Sequence, residues 1–152
     1  MPPQHTPSRS AIERLLSAPQ GQGTLWMEVK GYSMAPALRP GDRVEVVGVE
    51  PSDLCVGDLV VLDTGPNGWV IHRFFGWRAD QPPTPRTKGD ASPRFDPIWP
   101  GARLLGRVRA FERGARRRGV RRGWLTLPWI LRSILVLIRA RLRMAAPGRP
   151  DR

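Results

Sequence analysis

A serine hydroxyl attacks a carbonyl when a neighbouring base takes its proton and nearby donors hold the oxyanion. This sequence offers few bases. Of its two histidines, His5 lies in a Pro/Gln/Ser-rich start, whereas His72 sits inside the alternating run Trp69–Trp77. Ser33 lies where another alternating run breaks, in Gly31-Tyr32-Ser33-Met34-Ala35-Pro36. Such a turn can expose a hydroxyl and aim backbone N–H groups at one point. Gly31 lets a substrate strand approach closely, and Met34, with the Leu25/Met27/Val29 face, is a candidate lining for an apolar cleft or for the core. Asp90 and Asp96 bracket a Pro-containing loop, and either can accept the second imidazole N–H and fix the ring's tautomer. Two histidines and the single Cys55 do not make a zinc site, so neither a metal nor another cofactor is expected. Cys55, between Leu54 and Val56, reads as a small buried apolar residue.

These side chains need short strands and turns to bring them together. Seventeen prolines and sixteen glycines in 152 residues favour that over a helical bundle. Residues 1–23 read as a flexible leader, unstructured over 1–9, with a short helix from Ala11 to Leu16 capped by Ser10. Strands are expected at 24–30, 43–49, 59–62, 69–77 and 104–111, with Thr87–Asp90 re-entering the sheet. Gly65-Pro66-Asn67-Gly68 marks a hairpin. In the fourth strand, alternation puts Val70 and His72 on one face and Ile71 and Arg73 on the other.

Four segments, in this order, resemble the boxes of type I signal peptidases. Gly31 to Asp42, with Ser-Met-x-Pro and Pro-Gly-Asp, resembles the nucleophile box. Gly57-Asp58-Leu59-Val60-Val61 resembles the following strand, Val70-Ile71-His72-Arg73 the general-base box, and Lys88-Gly89-Asp90-Ala91-Ser92 the Lys-Gly-Asp box. Most bacterial members use lysine as base; a histidine at position 72 resembles the endoplasmic-reticulum, archaeal and spore-former branch. The resemblance implies a mainly β fold, a small folded sheet or barrel over residues 24–112. It also implies a serine endopeptidase that cleaves precursor or signal peptides after small residues. Ser33 would be nucleophile and His72 base, with Asp90 the preferred partner of His72 and Asp96 the alternative. Its substrate partner would be a precursor polypeptide. In lysine-type relatives a hydroxyl two residues before the nucleophile adds an oxyanion donor; here that position is Gly31.

The net charge of +12 is unevenly distributed. Residues 1–100 hold ten Lys/Arg against eleven Asp/Glu, and residues 101–152 hold fifteen Arg against two acids. Residues 113–123 read as a basic linker, 124–144 as an amphipathic helix and 145–152 as a disordered tail. On helical spacing Trp124, Leu127, Leu131, Ile134, Leu135 and Ile138 share one side, with Arg132 and Arg139 on another. This suits a helix lying on an anionic membrane surface, or anchoring the chain there. Residues 1–24 show no apolar run of a leader or anchor, where signal peptidases usually have one. A cytosolic maturation protease serving one dedicated precursor is therefore the alternative. From another class comes a nucleic-acid-binding protein using the Arg-rich tail, but no DNA-reading module is present and no specific nucleic acid is expected.

Overall fold

A computed structural model of the protein describes residues 8–18, 23–65, 68–80, 82–122 and 126–145. The chain is mainly β. Its strands are β1 (Thr24–Glu28), β2 (Arg43–Val47), β3 (Leu59–Asp63), β4 (Trp69–Trp77), β5 (Pro85–Lys88), β6 (Arg103–Arg113) and β7 (Arg116–Gly119). They form one antiparallel sheet in the order β1-β2-β6-β3-β4-β5, with β7 beside β6. The sheet does not close, so of the expected folded sheet or barrel only the open form holds. Helix α1 (Arg9–Ser17) precedes it and helix α2 (Leu127–Ala145) follows it.

The apolar pattern explains the layering. Leu25, Met27 and Val29 point into the main core, as their alternation predicts, and Met34, Leu38, Val44 and Val46 pack with them. In β3 both faces are buried: Leu59 and Val61 join the main core, while Val60 and Leu62 join a second cluster with Phe74. That accounts for its unbroken apolar run. The long strand β6 pairs β2 through one half and β3 through the other. At the junction a Cβ on Gly106 would lie 2.2 Å from the Val47 carbonyl oxygen, so only glycine lets the strands approach this closely.

Four expectations are corrected. The leader is not wholly flexible: α1 begins at Arg9, its N-cap is Ser8 rather than Ser10, and Ile12 and Leu15 are buried in the main core. Residues 1–7 lie outside the described residues. The re-entering strand is Pro85–Lys88 rather than Thr87–Asp90. The basic linker is mostly structured, since Arg116–Gly119 turns back at Gly114 to pair with β6. Three of its arginines are ion-pair partners: Arg117, with Arg109, holds Glu45, Arg113 holds Asp42 and Arg122 holds Asp58. Finally, Cys55 is exposed. Asp58 accepts from the Cys55 N–H at 3.0 Å, which places residue 55 on an outward turn.

Candidate active site

Ser33 and His72 are 39 positions apart, and the fold brings them together. Past Glu28 the β1 ladder continues through Val29 N–H to the Asp42 carbonyl and Gly41 N–H to the Val29 carbonyl, both 2.8 Å. The chain then turns through residues 32–38, and Ser33 is exposed on that turn. Its carbonyl is tied to the loop after β5 by the Ala91 N–H at 2.8 Å. His72 stands mid-strand in β4, paired in register with Val60.

The Ser33 Oγ lies 3.0 Å from His72 Nε2, and His72 Nδ1 lies 2.5 Å from Asp96 Oδ2. With the carboxylate accepting from Nδ1–H, Nε2 is left free to accept the serine proton. Thr87 Oγ1 donates to the same Asp96 oxygen at 2.7 Å. Two further bonds fix the Asp96 backbone: its N–H donates to the Thr87 carbonyl at 2.9 Å, and the Arg78 guanidinium donates to the Asp96 carbonyl at 3.1 Å. Asp96 and the imidazole are largely buried, while the serine is open to solvent. A hydroxyl, an imidazole and a carboxylate linked in this order form an arrangement able to activate a nucleophile by general-base catalysis.

Asp90, the preferred partner in the sequence reading, does not reach His72. It is fully buried and grips Arg73 with two bonds, at 2.7 Å from Nε and 2.6 Å from Nη2. The period-2 alternation of β4 explains the split. His72 and Phe74 share one face, and Phe74 pairs with Thr87, so Thr87 and Asp96 gather there. Arg73 and Lys88 pair on the other face, where Asp90 follows them.

Lys88 is also fully buried. Its Nζ donates to Ser133 Oγ on α2 at 2.7 Å and to the Gly89 carbonyl at 2.9 Å. Burial pushes its ammonium below the usual lysine range, against the opposing pull of Asp90 and Asp96. Gly89 closes the site from behind: a Cβ there would lie 2.7 Å from the Ser33 carbonyl oxygen and 3.2 Å from His72 Nε2.

A cleft of about 550 Å³ runs from this constellation, between Met27–Gly31 on one wall and Trp69–His72 on the other. Met34 lines it although nearly all of its surface is buried, so it serves both cleft and core. Gly31 also lines it, with open space where a side chain would stand. Both walls are strand edges without a neighbour among the described residues. β1 pairs only with β2, and β5 covers β4 only from Arg73 onward. Thr87 and Arg78 were not singled out from the sequence, and Gly89 entered only as part of the Lys-Gly-Asp box. The alternation of β5 could have flagged Thr87; nothing local marks Arg78. Among the described residues no group of His, Cys, Asp and Glu could hold a metal ion.

Compared with family models, with curated proteins and with solved structures, the chain matches none, so the reading of the site rests on its own geometry.

Proposed function

We propose that the chain is a serine endopeptidase acting on an extended segment of a precursor polypeptide. Ser33 is the nucleophile, His72 the general base and Asp96 the residue that orients it. The observation that carries this reading is the Ser33–His72–Asp96 chain at one end of a cleft walled by two open strand edges. An unpaired edge offers backbone donors and acceptors at strand spacing, so an extended peptide can be held mainly through its own main chain. His72 takes the Ser33 proton as Oγ attacks the scissile carbonyl, and the imidazolium returns it to the leaving amine. A water then attacks the acyl-enzyme with His72 again as base. The Ser33 N–H is one oxyanion donor. The resemblance to signal peptidases adds the expectation of small residues before the cleaved bond.

The test compares cellular N-termini, by mass spectrometry, between cells expressing the wild type and Ser33→Ala. N-termini present only with the wild type are expected, and they would name the substrate. Identical profiles would overturn the proposal.

Gly89→Ala is expected to reduce turnover by about a hundredfold or more, since misplacing reacting groups by about 1 Å has that effect. The inserted methyl presses on the Ser33 backbone and the imidazole. Wild-type kinetics in this variant would show that the Ser33–His72 spacing does not limit the rate.

A further inference from the structure

Helix α2 is divided into three sectors at 3.6 residues per turn. One sector faces the body: Thr126, just before the helix, and Ser133 are buried, Ser133 receives Lys88, and Thr126 and Ile130 pack at Gly57. The opposite sector is apolar and open to solvent, with Leu127, Leu131, Ile134, Leu135, Ile138 and Leu142 between 39% and 65% exposed. Between the two run exposed arginines, with Arg132, Arg139 and Arg143 along one border of the stripe and Arg141 along the other. Residues 127–145 contain no acidic side chain. Trp124, expected on the apolar side, lies outside the described residues.

We infer that α2 seats the protein on an anionic lipid surface, its Leu/Ile stripe entering the headgroup boundary and its bordering arginines meeting lipid phosphates. Six large aliphatic side chains in water on one stripe form a patch that a partner normally covers. Arginines on both borders place their charge at the height of the headgroups while their stems follow the stripe inward. A second copy fits poorly, because pairing two stripes would bring arginine rows together with no carboxylate on either helix. A nucleic-acid backbone would neutralise the arginines but leave the stripe in water. Among the described residues no helix is long and apolar enough to cross a membrane. The helix can lie on the surface and stay docked, because Ser133 and the stripe use different sectors. This inference does not depend on the peptidase reading: Ser33→Ala should bind lipid as the wild type does.

The experiment is co-sedimentation of the full chain with phosphatidylcholine vesicles, with and without phosphatidylglycerol. Binding is expected on the anionic vesicles and should fall with added salt. Replacing Leu131, Ile138 and Leu142 by Gln should weaken it by about tenfold per side chain, and Arg139→Gln with Arg143→Gln by about fivefold per arginine. These residues are exposed, so melting curves of both variants should match the wild type and separate lost binding from lost folding. Equal binding to both vesicle types would overturn the electrostatic half. Undiminished binding by the glutamine-stripe variant would reduce it to general attraction for polyanions. A stripe-dependent dimer with no vesicle binding would assign the face to a second copy instead.

Discussion

Asp96→Asn is expected to lower kcat by about 10³- to 10⁴-fold while leaving KM and the melting temperature nearly unchanged. Asparagine keeps the shape of aspartate, and the Asp96 backbone bonds to Thr87 and Arg78 do not involve the side chain. What changes is the proton on the ring. His72 and Thr87 face the same Asp96 oxygen, and an amide NH2 in its place would donate to Nδ1 instead of accepting from it, with the Thr87 hydroxyl turned to accept. The ring then carries its proton on Nε2, facing the Ser33 hydroxyl 3.0 Å away, with no lone pair to take a proton. Steady-state kinetics on the peptide identified from cellular N-termini, with a thermal melt beside it, provide the check. A kcat within about tenfold of wild type would mean that Asp96 does not set the tautomer.

Asp90→Asn should have the opposite profile. Both Arg73 and Asp90 are buried, and they are joined by two short bonds. Neutralising one partner leaves a guanidinium in the interior without a counter-charge, a change that destabilises by about 3–5 kcal/mol. For a domain of this size that corresponds to a fall in melting temperature of about 10–20 °C. Arg73 also donates to the Gly57 carbonyl at 2.8 Å, so the loss should loosen the turn under the start of α2. Below the melting range the remaining folded protein should still turn over substrate. A collapse of kcat with an unshifted melt would return Asp90 to the reaction. Measured together, the two asparagine variants separate a group that orients the base from one that holds the fold.

The contrast also shows what the sequence could and could not disclose. Alternation in Leu25/Met27/Val29 and along Trp69–Trp77 is a local property, and both strands stand where it places them. The nearness of Ser33 and His72 needs more than a shared sheet, because three strands lie between β1 and β4 and the sheet must curl to bring the two side chains together. Which aspartate meets the imidazole is different, because it depends on the register of β5 against β4 and on a loop that folds back by six residues. Strand β7 was hidden for another reason. Arg-Arg-Arg-Gly has no apolar face to alternate, and what holds it is the ladder to β6 and the pairing of Arg117 with Glu45. Ser10 is the expected cap because Glu13 stands three residues on, whereas Ser8, with Ala11 at that place, caps without such a partner. Cys55 reads as core by its neighbours, but Asp58 three residues later turns it outward. The count and order of strands did not indicate whether the sheet would close.

The arginine clamps have a consequence for the order in which the chain is made. Asp42, Glu45 and Asp58 emerge early in synthesis, and each is nearly buried in the finished fold. Their guanidinium partners, Arg113, Arg117 and Arg122, follow 71, 72 and 64 residues later. Until residue 113 has left the ribosome, the nascent sheet holds three carboxylates with part or all of their counter-charge still to come, and Asp58 waits until residue 122. A product ending at residue 112 would therefore carry every residue of the Ser33–His72–Asp96 chain, yet lack the three guanidiniums of Arg113, Arg117 and Arg122 that pair with Asp42, Glu45 and Asp58.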